Sequence, residues 1–395
     1  MTSAERLFKA LFMYFDNVFA QNTNVDVTTD LRYKDSWTFY KRLESSLYPW
    51  LYEGWNNAFQ INNQTNGRGI VIAVGDDQFR FAATTIKTLR EVLNCTLPIE
   101  VFFVREDDLS VARRSYLQTE FEDVTLKKIE DYVGYHYTQF GGWAMKPFCI
   151  LSSSFREVIL MDADAFFLQN PEKLFDDKGY QLTGSLYFYD RTLFPDWDVG
   201  AGWLNSFLPT MSTLVPETRW YQRTSTHEQE SGVIVMDKQK ALLGLLSTCK
   251  LNGKTERDEI TFWVGFEITQ TPYAFNKFYG AVIGQMGRGG DDGSPENVCG
   301  NQLHVDINHV PLWFNGGLYR HKYDYDNLTY LEFTHYAEGE DWDFDTHCLN
   351  DHDKIREVHP EQRTIAMASI EIDKKREKDE ALLEKGEWTP KKLDL

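Results

Sequence analysis

The sequence has little positive charge and few cysteines, and both shortages narrow the functions open to it. Its 41 Lys and Arg residues are outnumbered by 60 Asp and Glu residues, so the formal net charge is −19. This balance argues against binding to nucleic acid or to anionic membranes, which both require basic patches. The five cysteines are far apart and include no Cys-x-x-Cys pair, which argues against a structural zinc site or a thioredoxin-like centre. Their odd number allows at most two internal disulfides and leaves the pairing open.

Long apolar runs are also missing. Apolar residues between Leu7 and Phe19 recur at helical spacing, but Lys9 and Asp16 interrupt them. The pattern predicts an amphipathic helix and no membrane segment. Three Asn-x-Ser/Thr sequons favour the secretory pathway slightly: Asn63, Asn94 and Asn327. We therefore expect a membrane anchor, if the protein has one, to lie outside these residues.

Two common catalytic motifs are absent as well. The glycine-rich segment 284–290 is not followed by Gly-Lys-Ser/Thr, so it is no P-loop and is expected to be a surface loop. The Gly-x-Ser-x-Gly elbow of the α/β-hydrolases does not occur. A hydrolase that uses paired carboxylates stays open, although the sequence singles out no such pair.

The composition is that of a folded protein, and the order of the predicted elements indicates an α/β fold. Apolar residues make up 42% and aromatic residues 15% of the 395, enough for one large core. The pattern predicts strands at 69–75, 99–104 and 158–161 and helices at 79–94 and from 109. This alternation indicates a mostly parallel sheet flanked by helices. We expect three regions: a helical N-terminal region 1–66, an α/β domain 67–345 and a charged C-terminal extension 346–395 that forms a solvated helix or a loose tail.

An acidic pair follows the third predicted strand. Asp-x-Asp occurs six times, but only Asp162 and Asp164 come directly after an apolar strand and before another apolar stretch. Ligands of open α/β sheets bind beyond the carboxyl ends of the strands. Two carboxylates there can hold one hard divalent cation, which stabilises a departing diphosphate. The acidic run 341–353 is a rival cluster, yet it lacks the Gly and Glu of a calcium loop and is expected to be a solvated loop.

Seven segments keep their order from about residue 68 to 320, and each is a weak signal alone. They are 141–148, 161–165, 170–175, 228–235, 258–263, 299–306 and 311–317. Together they resemble the fungal Golgi α-1,3-mannosyltransferases (glycosyltransferase family 71). The same skeleton is similar to glycogenin-like retaining transferases.

The resemblance implies a GT-A fold, and retaining transfer from GDP-mannose to a mannose-containing glycan of a glycoprotein in the Golgi lumen. It implies Mn²⁺ as cofactor, with Mg²⁺ as an alternative. The implied metal ligands are Asp162, Asp164 and His304. The implied donor-binding residues are Gly75, Lys146, Asp162, Ser231, Gly232, Asn315 and Gly316. Glu230 and Asp258 are expected around the donor sugar as catalytic residues, and no general base is assigned.

Other interpretations stay open at this point. A retaining hexosyltransferase with a UDP-sugar donor would share these motifs, and a non-catalytic glycan-binding subunit could keep the same fold. The intact set of Asp162, Asp164, His304 and Lys146 speaks against the second. Aromatic residues between 197 and 221 are candidates for acceptor recognition, although core packing is the default for each: Trp197, Trp203, Trp220 and Tyr221.

Overall fold

The computed structural model describes residues 2–134, 136–138, 142–196, 199–253, 261–287, 297–320, 322, 328–350 and 354–389. Within them the strands are β1 (Asn66–Ala73), β2 (Ile99–Phe103), β3 (Val124–Lys128), β4 (Phe155–Met161), β5 (Phe166–Phe167), β6 (Ser185–Tyr189), β7 (Gln229–Asp237), β8 (Ala274–Phe275), β9 (Ala281–Met286), β10 (Val298–Val305), β11 (Pro311–Asn315), β12 (His335–Ala337), β13 (Trp342–Asp343), β14 (Cys348–Leu349) and β15 (Ile355–Glu357). The helices are α1 (Thr2–Gln21), α2 (Lys34–Leu47), α3 (Ala58–Gln64), α4 (Phe79–Glu91), α5 (Val111–Glu120), α6 (Lys146–Ser152), α7 (Lys178–Thr183), α8 (Val199–Phe207), α9 (Arg219–Gln222), α10 (Lys238–Asn252), α11 (Thr261–Thr269) and α12 (Pro360–Glu384).

The main sheet has seven strands in the order β3-β2-β1-β4-β7-β6-β8. Strands β1 to β4 are parallel to one another, whereas β7 is antiparallel to both β4 and β6. Because β7 is antiparallel to both of its neighbours, β4 and β6 run parallel to each other. The predicted α/β fold with a mostly parallel sheet is thereby confirmed.

Both faces of this sheet are buried, which explains why its central strands read as continuous apolar runs. Residues 158–161 of β4 and 233–236 of β7 are all fully buried. Alternate residues point to opposite faces. Val158 and Leu160 pack in a cluster with α6, α10 and the N-terminal helices, while Ile159 and Met161 pack in a second cluster with α4.

The N-terminal helices pack on the α/β domain. Phe8, Phe12 and Phe15 of α1 belong to the same hydrophobic cluster as strand β4. Arg6 Nε donates to the carbonyl of Ile268 at 3.0 Å, at the end of α11. Helices α1 to α3 all lie in the predicted region 1–66, but they share a core with the rest of the chain. The division into three regions stays a prediction.

The charged C-terminal sequence forms α12, which packs against α4. Its inner face carries Asp373 and Arg376, both buried. Arg376 Nε donates to Asp373 at 3.0 Å, and Thr84 of α4 donates to the same carboxylate at 2.6 Å. Part of the predicted charged extension is therefore a docked helix. None of the helices described combines the length and apolar character needed to cross a membrane.

A second, mainly antiparallel sheet joins β13, β14, β10, β9, β12 and β15 in that order, and β11 pairs with β10 and β5. A disulfide between Cys299 of β10 and Cys348 of β14 crosslinks it. The other cysteines are buried and free: Cys95, Cys149 and Cys249. The predicted boundary at residue 345 falls inside the turn between β13 and β14.

The directions of the strands decide where a ligand can bind. Because β1, β2, β4 and β6 all run the same way, their carboxyl ends lie at one edge of the main sheet. The antiparallel strand β7 begins at that same edge. Side chains from five strands therefore converge there, in the position where open α/β sheets bind ligands.

Candidate active site

A cavity of about 950 Å³ opens at this edge. Its lining contains five basic and six acidic side chains, so the charge of the cavity is nearly balanced in a chain of net charge −19. These are Arg105, Lys146, Arg191, Arg320 and Lys322, with Asp77, Asp108, Asp162, Asp164, Asp190 and Glu230. A balanced cavity can accept an anionic ligand that the acidic character of the whole chain disfavours.

The acidic pair lies on the turn that directly follows β4. The N–H of Asp162 donates to the carbonyl of Gly232 on β7 at 2.7 Å. The carbonyl of Asp164 accepts the N–H of Gly317 at 3.0 Å, from the segment after β11. Both sheets thus fix the turn, and both carboxylates line the cavity.

Each of these carboxylates is paired with a lysine. Lys146 Nζ lies 2.8 Å from Asp162 Oδ1 and 3.0 Å from Ser231 Oγ, and its side chain is 4% exposed. Lys322 pairs with Asp164. Burial raises the pKa of Asp162, and the Lys146 ammonium opposes this shift. Lys146 thereby stabilises a carboxylate that would otherwise be costly to bury.

The pair Asp162 and Asp164 fits a hard divalent cation, because it offers only oxygen ligands at the wall of a cavity. Within the described part of the chain, no group of three His, Cys, Asp or Glu side chains is arranged to hold a metal ion. A cation here would complete its coordination with ligand or water oxygens. It would also compete with Lys146 and Lys322 for the carboxylates.

His304, the predicted third ligand, lies outside the cavity lining. It sits on β10, 1% exposed, stacked on Trp313 with ring centroids 4.2 Å apart and in edge contact with Phe188 at 5.1 Å. Neither ring nitrogen has a hydrogen-bond partner among the described residues. Burial lowers the pKa of His304 to about 3, so the ring is neutral. Its role as a ligand stays a prediction.

Glu230 lies at the start of β7 and faces the cavity. Its Oε1 accepts the N–H of Gly232 at 2.7 Å and the side-chain amide of Asn315 at 3.0 Å. Burial, together with the charges of Asp190 and Asp162, raises the pKa of Glu230 to about 7. A Cβ at Gly232 would lie 2.8 Å from Asn315 Nδ2 and 2.9 Å from Glu230 Oε1, so only glycine fits beneath this hydrogen bond.

The structure brings most of the predicted donor-binding residues to one cavity. Gly75, Lys146, Ser231, Asn315 and Gly316 all line it together with the acidic pair. The φ angle of Gly316 is +111°, a backbone conformation that favours glycine. Gly232 lies behind Glu230 and Asn315. Asp258, the second predicted catalytic residue, falls outside the described residues.

Sequence reasoning missed a polar group next to Glu230. Asp190 follows β6, and its carboxylate lies 2.9 Å from His227 Nδ1 and 3.6 Å from Arg191 Nε. Burial opposes ionisation of Asp190, but the contacts with His227 and Arg191 lower its pKa to about 2. All three line the cavity. The position of Asp190 at the carboxyl end of a strand is the available signal, but the sequence pattern does not predict strand β6.

The acidic run 341–353 begins as a hairpin. Asp343 accepts the N–H groups of Asp345 and Thr346 at 2.9 and 3.0 Å, which closes the turn between β13 and β14. The end of the run, 351–353, falls outside the described residues. The glycine-rich segment 284–290 starts within strand β9, and its residues from 288 onward are likewise not described.

Among the aromatic residues proposed for acceptor recognition, Trp220 is buried and Trp203 is 41% exposed on α8. The two rings pack together at 5.6 Å. Neither lines the cavity, and nor does Tyr221. Trp197 falls outside the described residues.

Comparisons with known proteins identify the family of this chain. The chain matches the family model described as "Mannosyltransferase putative" over residues 67–197 and 203–306, more than half of its length. "Putative alpha-1,3-mannosyltransferase MNN14" of Candida albicans is 26% identical over 340 residues, which are 69% of this chain and 49% of the relative. Alpha-1,3-mannosyltransferase MNT2 of Saccharomyces cerevisiae is 25% identical over 304 residues, 67% of this chain and 54% of the relative. The chain thus spans about half the length of these curated relatives.

Among solved structures, core-mannan synthase A of Aspergillus fumigatus in its Mn/GDP form aligns with 53% of this chain and 72% of its own, at 12% identity and a TM-score of 0.35. A galactosyltransferase, LgtC, aligns with 53% of this chain and 73% of its own, at 11% identity and the same TM-score of 0.35. The sequence match carries the assignment: over more than half of its length this chain fits one family model, and it belongs to that mannosyltransferase family.

Proposed function

We propose that this chain contains the catalytic domain of a retaining α-mannosyltransferase that moves mannose from GDP-mannose onto a mannose-containing glycan. The observation that carries the proposal is the acidic pair Asp162 and Asp164, with Lys146, at the strand ends that line a charge-balanced cavity. The mannose donor and the α-1,3 linkage are supported by the names of the relatives.

The strand order supports a direction for the donor across the cavity. We call the carboxyl ends of β2, β1 and β4 the donor side of the cavity. The acceptor side consists of the loop after β6, the start of β7 and the turn between β13 and β14. Neighbouring strands are about 4.8 Å apart, so β2, which Arg105 follows, and β7, which carries Glu230, are three steps apart in the sheet order and separated by roughly 14 Å. That width suits a nucleotide at Gly75 and Arg105, a diphosphate at the acidic pair, and a sugar at Glu230.

Cations at the centre of the cavity would bind the diphosphate. Lys146 is a fixed point charge there, because Asp162 and Ser231 hold its ammonium group. Asp162 and Asp164 would hold Mn²⁺ or Mg²⁺ against the diphosphate oxygens. Such a cation, when bound, neutralises the charge that builds up on the leaving group. We propose His304 as a further ligand only if the strand that carries it shifts, since its ring lies outside the cavity lining.

The chain's own groups then position the reacting atoms. In the transfer, the bond between the anomeric carbon and the diphosphate oxygen breaks, and the acceptor hydroxyl oxygen bonds to the same face of that carbon. The hydroxyl proton passes to the leaving diphosphate oxygen. Glu230, held by Gly232 and Asn315, would lie beside the positive charge that develops on the sugar ring. Asp258 is proposed for the same region on the resemblance alone.

A secretory compartment suits this function. The disulfide between Cys299 and Cys348 is of the kind that forms and persists in oxidising environments. The sequon residues Asn63 and Asn94 are both exposed. We therefore propose the Golgi lumen as the site of action, as for the family that the sequence resembles.

The test measures the binding of a panel of donors by calorimetry. Wild-type protein and the Asp164→Ala variant are titrated with GDP-mannose, GDP, UDP-glucose, UDP-galactose and UDP, with manganese and with a chelator. We expect manganese-dependent binding of GDP-mannose and GDP, lost in Asp164→Ala. Binding of UDP-sugars alone would replace the mannose donor by another hexose. If no donor binds, a non-catalytic glycan-binding role becomes the better interpretation.

A further inference from the structure

Two phenylalanine rings stand exposed beside the acceptor side of the cavity. Phe194 and Phe344 are each 50% exposed, and their ring centroids are 5.3 Å apart with an interplanar angle of 55°. Single exposed apolar residues are common on protein surfaces. Two large rings from distant parts of the sequence, in contact with each other and with solvent, instead form a small apolar platform.

The backbone on both sides of this platform is fixed. Phe194 lies in the loop after β6, where Leu193 and Asp196 are hydrogen-bonded to the segment 223–226. Phe344 lies in the turn between β13 and β14, which Asp343 closes. The Cys299–Cys348 disulfide and the hydrogen bond from Gly300 N–H to the carbonyl of His347, 3.0 Å long, attach this turn to β10. Rings on fixed segments lose little conformational entropy when a ligand binds.

The platform is continuous with the cavity. The ring of Phe194 lies 6.1 Å from that of His227, and the ring of Phe344 lies 6.2 Å from that of His347. Both histidines line the cavity, and Asp190 Oδ2 lies 2.9 Å from His227 Nδ1. A ligand on the two rings would therefore touch polar groups at their inner edge and reach toward Glu230.

We propose that Phe194 and Phe344 bind a hexose of the acceptor glycan and that Asp190 and His227 bind its hydroxyl groups. A hexose has an apolar C–H face that suits an aromatic ring, and hydroxyls that suit a carboxylate and an imidazole. Binding sites of this kind combine aromatic walls with a few placed polar groups. This inference rests on the proposed function, because it assigns the acceptor of the same reaction.

The test compares acceptor use with donor use in Phe194→Ala, Phe344→Ala and the double variant. The acceptor probe is a methyl α-mannobioside, and the donor readout is hydrolysis of GDP-mannose without acceptor. Phe39→Ala is the matched control, since Phe39 is 47% exposed on α2, within the N-terminal region. Phe344→Tyr keeps the ring and serves as the conservative variant. Binding of the mannobioside alone is measured by saturation-transfer NMR.

We expect each alanine variant to raise the KM for mannobioside about tenfold, as for loss of an aromatic anchor. Donor hydrolysis should change less than about twofold, and Phe39→Ala and Phe344→Tyr should behave like wild type. An unchanged acceptor KM and unchanged NMR binding in the double variant would overturn the inference. If no donor binds but mannobioside binding still needs both rings, the platform stands and the proposed transferase activity fails.

Discussion

The donor side and the acceptor side of the cavity are assembled differently. The donor side uses the ends of β1, β2 and β4, which are joined by helices and pair in parallel, and the family match covers it almost completely. The acceptor side combines the loop after β6, the start of β7 and the β13–β14 turn. That turn lies beyond the last residue of the family match, 306.

This difference has a physical consequence for specificity. The donor side presents backbone and charged groups at strand ends, a geometry that the sheet itself fixes. The acceptor side depends on a hairpin held by one disulfide and a few hydrogen bonds, so its residues can change without disturbing the sheet. We therefore expect substitutions on the acceptor side to leave donor binding nearly unchanged. Substitutions on the donor side should affect acceptor binding more.

The largest effect is expected from Lys146→Met, which breaks the donor side. The variant removes the ammonium group that, in the proposed function, pairs with the donor diphosphate, whereas Asp162 keeps its carboxylate for the metal ion. Loss of one partner of such a pair costs about 2–5 kcal/mol, so the affinity for GDP with manganese should fall by about 30-fold or more. Calorimetry with GDP measures this directly.

Lys238→Met is the matched control for that change. Lys238 is also fully buried, but its ammonium group donates to the carbonyl of Ser153 at 2.6 Å and lies outside the cavity. Burial lowers its pKa well below the usual value. We expect unchanged GDP affinity. An equal fall in GDP affinity in both variants would mean that Lys146, like Lys238, stabilises the fold and does not bind the donor.

An intermediate effect is expected from Glu230→Gln, at the junction of the two sides. Transfer should fall by about 100-fold, because the amide cannot stabilise positive charge on the sugar. The free energy of unfolding of the variant should instead increase at high pH. The pKa of Glu230 in the folded chain, about 7, is above its ordinary value of 4.5. Its contribution to stability is therefore complete below about pH 4.5 and is lost as the pH rises through 7. The variant should gain about 3 kcal/mol at pH 8 relative to its effect at pH 4.5.

Glu228→Gln is the control that separates the proposed catalytic role of Glu230 from its effect on stability. Burial raises the pKa of Glu228 to about 7 as well, but this residue contacts Arg219 and Trp220 and does not line the cavity. Chemical denaturation at pH 4.5 and pH 8, with initial rates at pH 7, compares the pair. We expect Glu228→Gln to retain most of the activity. Full activity in Glu230→Gln would remove this residue from the mechanism.

The same contrast explains what could be predicted from the sequence. Strands β1, β2 and β4 and helix α4 lie within about three residues of their predicted positions, because buried parallel strands form short apolar runs that local patterns detect. Asp162 could be chosen among six Asp-x-Asp matches since it follows such a strand. Its pairing with Lys146, in contrast, depends on how α6 packs on the sheet.

The acceptor side could not be predicted in this way. Asp190 and His227 meet only because β6 and β7 pair antiparallel, and Phe194 and Phe344 meet only across the two sheets. No periodicity within either segment encodes these contacts. The sequence does not give the partner of Cys299 for the same reason, since the disulfide follows from the pairing of β10 with β14.

The smallest effect on substrate binding is expected from the double variant Cys299→Ser and Cys348→Ser. The two cysteines are 49 residues apart in sequence, so the chain-entropy account gives at most about 4 kcal/mol of stability for the crosslink. The acceptor KM should rise about three- to fivefold because the β13–β14 turn is held less firmly, while the KM for GDP-mannose stays unchanged. Cys95→Ser, a change at a buried free cysteine, controls for the substitution itself.

A lower melting temperature with both KM values unchanged would show that the disulfide stabilises the second sheet without positioning Phe344. A matched rise in both KM values would instead mean that the two sides of the cavity are mechanically coupled through β10.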